Sequence, residues 1–285
     1  MKNLLKADLY RALKNKLLII GLIAAVGLTI FQVLIYKGLA VLGEITEEDM
    51  EIFGALISAD GISLWNSGAS IVGYSAAYLI PIFVTIFMLR EYSDRTVRNK
   101  LLMGYTRSQI YFGAILVHLI LSFVFLFTAS TVGFILGSLF FGLGAEFTMS
   151  YVGMLLVGFL LQFILSYTVL CLGIVLAINI QNPVLGIIIP IIFSFLGSLI
   201  TTLTTFGFSD SFTQILSFTS YFQSTEITGM TNIGDLIKQT LIMDFNNDII
   251  TIKLVPLLRI LITAPVIISG EIVFGYIKFK RINFK

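Results

Sequence analysis

Few side chains in this sequence have the chemistry of an active site or a metal site, and those few stand alone. The chain has a single histidine, His118, and a single cysteine, Cys171, whereas both kinds of site need several such groups together. No Gly-x-x-x-x-Gly-Lys-Ser/Thr loop, Gly-x-Ser-x-Gly turn or His-Glu-x-x-His pair occurs. We therefore predict no catalytic, cofactor-binding or metal site in this chain, and expect His118 and Cys171 to pack inside the fold.

Two ionisable residues, Arg259 and Glu271, fall inside an otherwise apolar stretch near the C-terminus. A charge at the centre of a bilayer costs about 2.5 kcal/mol or more. The two residues would lie about 18 Å apart along one helix, too far to pair with each other. Two interpretations stay open. Either Arg259 extends toward the outer surface while Glu271 pairs with a basic residue at the cytoplasmic face, or both serve coupling or substrate contact.

A third group of residues forms a basic cluster between two long apolar runs, and its local signals predict a short helix. Ser93 or Asp94 can cap the start of that helix, and Gly104 suits the left-handed position just past its end. Residues Thr106 to Gln109 then have the pattern of a capping box that starts the next helix. The basic members of the cluster are Arg90, Arg95, Arg98, Lys100 and Arg107.

The same short helix has an apolar side made of Val97, Leu101 and Leu102. A helix with one apolar side and a basic rim favours contact with another molecule over exposure to water. Anchoring of the positive charges to anionic lipid is the simpler alternative. The caps, the glycine stop and the apolar side together favour a protein partner.

The composition predicts a membrane protein of the all-α class. Hydrophobic residues make up 57% of the 285 residues and charged residues 12%, about half the charged share of a soluble domain. The mean hydropathy is +0.99. Charges are confined to short segments, which leaves apolar runs long enough to cross a bilayer.

These runs predict a single transmembrane domain with six spans. One long extracellular loop is predicted between the first and second spans, and another between the fifth and sixth. Residues 1–16 place Leu5, Leu9, Ala12 and Leu13 on one stripe, typical of an amphipathic helix at the membrane interface. Residues 90–108 form the cytoplasmic segment, and residues 37–68 and 204–253 form extracellular loops. The spans are expected at about residues 17–36, 69–89, 109–141, 151–178, 184–203 and 254–277.

The charge distribution predicts the orientation. If both termini and the basic cluster are cytoplasmic, 14 of the 18 Lys and Arg residues lie on that side. Positive residues in short loops determine orientation in this way. Twelve of the 16 acidic residues then fall in the opposite loops. We therefore expect a multi-pass protein of the bacterial plasma membrane with both termini in the cytoplasm.

Residues 90–107 resemble the cytoplasmic motif between the second and third spans of type-2 ATP-binding-cassette (ABC) transporter permeases. That motif runs roughly Glu-x-x-x-Gly-Thr-x-Arg-Asn-x-Leu, followed by Gly-Tyr-Ser-Arg. Arg95 stands where the family usually has Gly, and Thr106 replaces Ser. The matching residues are Glu91, Thr96, Arg98, Asn99, Leu101, Gly104, Tyr105 and Arg107.

The resemblance implies a permease subunit without its own ATPase, so that ATP and Mg would be bound in a partner chain. Two permease subunits, identical or different, would assemble with two separate ATPase subunits in the lipid bilayer, with no nucleic acid involved. The short helix would be the coupling helix pressed by the ATPase. The residues expected to contact that partner are Glu91, Arg95, Thr96, Val97, Arg98, Asn99, Leu101, Leu102 and Arg107.

Members of this family mostly export peptides, drugs, lipids or polysaccharides, and the apolar bundle favours a hydrophobic or amphipathic cargo. An ion-coupled carrier or channel is one alternative, but such proteins need polar groups near the membrane centre. The first five predicted spans offer only His118, Gln32, Gln162 and scattered hydroxyls. A membrane-bound immunity protein that does not transport is a further alternative.

Overall fold

A computed structural model of the chain describes residues 2–42, 60–69, 83–87, 96–143, 148–180 and 256–282, with short helical pieces within 184–199 and at 223–224. Across these residues all regular secondary structure is α-helical, as the composition predicts. Its named helices are α1 (Lys2–Lys14), α2 (Lys16–Leu42), α3 (Gly61–Ala69), α4 (Thr96–Leu102), α5 (Arg107–Phe141), α6 (Met149–Ile180) and α7 (Pro256–Lys280).

Four of these helices, α2, α5, α6 and α7, are long and apolar enough to cross a membrane. They coincide closely with the predicted first, third, fourth and last spans, at 17–36, 109–141, 151–178 and 254–277. Most of the predicted second and fifth spans, 69–89 and 184–203, lies outside the described residues. The number of six spans therefore stays a prediction.

The structure differs from the predicted loop at 37–68. Helix α2 continues to Leu42, and residues 61–69 form α3, which packs antiparallel to the second half of α5. The backbone N–H of Gly61 donates to the carbonyl of Gly142 at 2.9 Å. A Cβ on Gly68 would lie 2.6 Å from the Cα of Ser130. The helical bundle therefore begins before residue 69 on this segment.

Two polar side chains of α3 bond inside the bundle, whereas the buried amide of Asn66 has no hydrogen-bond partner among the described residues. The indole N–H of Trp65 donates to the carbonyl of Leu155 on α6 at 2.7 Å, and its ring contacts Phe127, Phe134 and Phe159. The hydroxyl of Ser67 donates to the carbonyl of Ser63. A polar group that is satisfied locally costs little to bury.

Helices α5 and α6 form the centre of the described bundle, and α2 and α7 lie at its edge. In the most apolar 18-residue stretch of α6, 78% is buried within the chain, against 17% in the corresponding stretch of α7. Aromatic rings fill much of the α5–α6 contact, with Phe123 against Phe159 and Phe163. The exposed apolar faces of α2 and α7 are what a helix facing lipid or another subunit presents.

Candidate functional site

The turn between α4 and α5 forms as its local sequence predicts. Gly104 has φ +87, in the left-handed region, and its N–H donates to the carbonyl of Leu101 at 3.0 Å. Thr106 and Gln109 form the capping box. The Thr106 hydroxyl accepts the Gln109 N–H at 3.3 Å, and the Gln109 side chain accepts the Thr106 N–H at 3.0 Å. Both predictions are confirmed. The glycine turn and the capping box together set the direction of α4 relative to α5.

One side of α4 is turned into the protein. Val97 is buried in the same hydrophobic cluster as Ala12 of α1 and Ile110 of α5, and Leu101 packs partly against that cluster. The Val97 side chain is 3% exposed, so it faces the interior of this chain, and its predicted contact with a partner stays a prediction. The first α4 residue, Thr96, is partly buried.

The opposite side of α4 is open. Arg98 and Asn99 are exposed, and Leu102 and Met103 are each 77% exposed. We call these four residues the α4 surface. Met103 was not among the predicted contact residues, although its place directly after Leu102 could have identified it. Large apolar side chains exposed together beside a charge are typical of an interaction site.

The remaining cation of α4, Lys100, is buried and paired. Its Nζ lies 2.9 Å from Oδ2 of Asp8 on α1, and the two residues are 6% and 2% exposed. The other oxygen of Asp8 accepts from Arg11, one turn further along α1. Sequence reasoning did not identify this pair, because its members are 92 residues apart.

Helix α1 presents Asp8 on a buried face. Leu4, Asp8 and Ala12 are buried at a spacing of four residues, and Leu4 approaches Gly113 of α5. Leu13, which the sequence placed on the apolar stripe, is 76% exposed. The face of α1 that carries Asp8 therefore packs on the protein.

The start of α5 is joined to the end of α7. Arg107 donates from one guanidinium nitrogen to the carbonyls of Lys280 and Ile282, at 2.6 and 2.8 Å. The hydroxyls of Ser108 and Tyr276 form a hydrogen bond of 2.5 Å. The guanidinium of Arg107 therefore bonds the last carbonyl of α7 and one carbonyl just beyond it, and its predicted contact with a partner stays a prediction.

The sequence model of the ABC-2 family transporter proteins matches residues 4–197. The match covers more than half of the chain, and its limits span α1, the α4 surface, α5 and α6. This chain belongs to the ABC-2 transporter family. It is a multi-pass membrane protein of the permease type, and such permeases work with an ATPase. No curated protein and no solved structure matches it.

Two residues expected to contact the ATPase of this ABC-2 transporter, Glu91 and Arg95, lie outside the described residues. Of the expected contacts that are described, Arg98, Asn99 and Leu102 lie together on the α4 surface. Thr96 and Leu101 border that surface as partly buried residues. Some of the expected contact residues that the structure describes are therefore exposed, and the others are partly or fully buried.

The two charged residues of α7 lie beyond the part of the chain that the family match covers. Arg259 is 7% exposed, so it is buried against other residues of the chain. The Glu271 carboxyl lies beside the Cys171 thiol and forms a hydrogen bond with it. Glu271 forms no ion pair within the described residues. Both interpretations of Arg259 and Glu271 stay predictions.

His118 and Cys171, the single residues of their types, are both fully buried between helices of the ABC-2 chain. The His118 ring contacts the ring of Tyr167 on α6, with the ring centres 5.8 Å apart. This arrangement confirms the prediction that the two residues pack inside the bundle.

Proposed function

We propose that this chain is the permease subunit of an ATP-driven transporter and that a separate ATPase subunit docks on the α4 surface. ATP and Mg are bound in the ATPase, and this chain supplies the membrane path. The observation that carries the proposal is the exposure of Leu102 and Met103 at the end of a short helix that carries cations.

The charges of α4 favour a protein partner over a lipid surface. A helix that anchors to anionic lipid uses its cations for that purpose. In α4, Lys100 is buried against Asp8 and unavailable to lipid headgroups. Arg98 alone among the cations of Thr96–Leu102 is exposed. A protein groove with an apolar floor and an acidic edge suits Leu102, Met103 and Arg98 together.

The connections of α4 support its role as the coupling helix. It joins α5 through the capped turn at Thr106, and its Lys100 pairs with α1. The first residue of α5, Arg107, bonds the end of α7. A displacement of α4 by the ATPase would therefore act on three helices at once.

We further propose six spans, with both termini and the α4 surface on the cytoplasmic side of a bacterial plasma membrane. The unequal distribution of Lys and Arg supports this orientation. Helix α1 then lies at the cytoplasmic membrane interface, with Leu4 and Ala12 against the protein. A second permease subunit completes the path, and the exposed apolar faces of α2 and α7 are available for it.

The cargo we propose is hydrophobic or amphipathic, such as a peptide antibiotic, a drug or a lipid, and the direction of transport is export. The apolar character of the spanning helices supports this class, since four of the described helices are long and apolar enough to cross a membrane. A path lined by such helices offers little hydration to a sugar polymer.

The docking proposal is tested by co-purification of this chain with its ATPase subunit, for which an ATPase gene adjacent to this gene would be the first candidate. Leu102→Asp places a charge on the exposed α4 surface without disturbing the core, because the side chain is 77% exposed. We expect the ATPase recovered with the variant to fall by about tenfold or more, as at a buried interface anchor. Leu101→Asp is a poorer choice, because Leu101 is partly buried.

Met149→Asp is the matched control. Met149 is 88% exposed at the start of α6, at the end of the bundle away from α4, so its ATPase recovery should equal that of the unaltered chain. Equal recovery with Leu102→Asp would contradict docking at α4. Transport by the purified chain in liposomes under an ion gradient, without ATP, would contradict the ATP-driven function itself.

A further inference from the structure

We propose that Asp8 is a positioning residue whose buried ion pair with Lys100 makes α1 and α4 move as one rigid unit. This inference rests on the proposed function, because it assigns α1 a part in transmitting the push of the ATPase. It adds a residue of the N-terminal helix that lies outside the basic cluster and outside the α4 surface.

The geometry of the pair supports a fixed connection. The Lys100 ammonium lies 2.9 Å from Oδ2 of Asp8, and Arg11 donates to Oδ1. Both carboxylate oxygens are therefore occupied, one by α4 and one by α1 itself. Such a carboxylate has little freedom to rotate away from Lys100, so the contact between the two helices is directional.

The burial of the pair supports a role beyond surface stabilisation. Asp8 is 2% exposed and Lys100 is 6% exposed, so water can replace neither partner. If the two helices separated, Lys100 would lose the Asp8 carboxylate and Asp8 would keep only Arg11, with both charges in an apolar setting. The cost of that separation opposes independent movement of α1 and α4.

The position of Asp8 on α1 also fits this role. It lies between Leu4 and Ala12 on the buried face of the helix, where a helix that only anchors to lipid would carry an apolar residue. The position of the carboxylate therefore favours an ion pair with Lys100 over contact with lipid. A displacement of α4 would be passed through this pair to α1, and from α1 to α2 across the short connection at Asn15.

The first test measures the connection in the full-length chain alone. Spin labels are attached at Leu13→Cys and Leu102→Cys, two exposed sites, in a Cys171→Ser background. We expect a narrow distance distribution with the pair intact and a broad one with Asp8→Asn. Lys100→Met should broaden it as well. The double variant Asp8→Asn with Lys100→Gln should restore a narrow distribution, because it keeps a hydrogen-bonding pair and leaves no buried charge unpaired, since Arg11 is exposed.

The second test uses the assembled permease and ATPase. We expect Asp8→Asn to retain the ATPase in the same ratio, while ATP hydrolysis per complex falls by about tenfold, within the range of coupling between two sites. The double variant should recover most of the rate. A merely structural loss would lower the amount of complex and leave the rate per complex unchanged.

An unchanged distance distribution in Asp8→Asn would overturn the proposal. So would an equal loss of ATPase binding and hydrolysis, because Asp8 would then act on docking. If no ATPase co-purifies with the unaltered chain, the proposed function fails. The distance measurement still decides whether Asp8 holds α1 to α4.

Discussion

The two ends of α5 are held by different kinds of contact. At the start, Arg107 and Ser108 form directional hydrogen bonds with the end of α7. In the second half, Gly133 and Gly137 let α3 approach so closely that a Cβ on Gly133 would lie 2.9 Å from the carbonyl oxygen of Leu64. Hydrogen bonds near a helix end can break and form again during a movement, whereas close backbone packing resists any sliding.

This comparison indicates a division of tasks along one helix. The start of α5 can follow a displacement of α4, as the proposed docking of an ATPase on the α4 surface requires. The second half, packed on α3, can serve as the fixed point about which α5 tilts. Three variants test the comparison, and each changes one end of α5 only.

The largest effect is expected from Gly133→Leu in the closely packed half. Its Cβ would lie 2.9 Å from the Leu64 carbonyl oxygen, a backbone atom that cannot move without shifting α3. We expect a loss of about 3 kcal/mol in the free energy of unfolding, at the upper end of overpacking costs. Size-exclusion chromatography and thermal unfolding in detergent would measure it.

Gly270→Leu is the control for this variant. Gly270 lies in α7 with open space where its Cβ would be, so the same substitution should leave unfolding unchanged or slightly improved. If Gly133→Leu and Gly270→Leu unfolded alike, the second half of α5 would not be closely packed on α3.

A smaller effect is expected from Arg107→Ala at the start of α5. The variant removes the donors to the carbonyls of Lys280 and Ile282. Arg107 is partly exposed, so water can bond the two carbonyls in place of the guanidinium. We therefore expect a loss of about 1–2 kcal/mol in the free energy of unfolding. Hydrogen exchange should rise at residues 276–282 and stay unchanged in α3.

Arg98→Ala serves as the matched control, because Arg98 is an exposed arginine one helix earlier. Its hydrogen exchange at residues 276–282 should equal that of the unaltered chain. Equal exchange in Arg107→Ala would show that the contact with α7 does not hold the start of α5.

The parts of this site that were predictable from sequence are the local ones. Gly104 and the Thr106–Gln109 box act over three or four residues, so their structure follows from residue type and spacing alone. The long apolar runs likewise give four helices near their expected limits. Their signal depends on composition over some twenty residues and not on partners.

The parts that were not predictable depend on contacts between distant residues. Asp8 and Lys100 are 92 residues apart, and Arg107 and Lys280 are 173 apart, so no local pattern pairs them. Val97 and Leu102 look alike in sequence as members of one apolar side. The packing of α1 separates them, since one is buried and the other exposed.

The smallest effect is expected from Thr106→Ala, which removes the hydroxyl that accepts the Gln109 N–H. Loss of a helix cap of this kind costs about 1 kcal/mol. The position is exposed, and the other contacts of α5 are unchanged, so the cost should be confined to the first turn. Thermal unfolding of the full-length chain would measure it.

Thr106→Ser keeps the hydroxyl and should unfold like the unaltered chain. A difference between the two variants would show that the cap contributes to the order of the turn that joins α4 to α5. If Thr106→Ala and Thr106→Ser unfolded alike, the direction of α4 would depend on its contacts with α1 and not on the turn. The start of α5 would then be held entirely by contacts between helices that are distant in sequence.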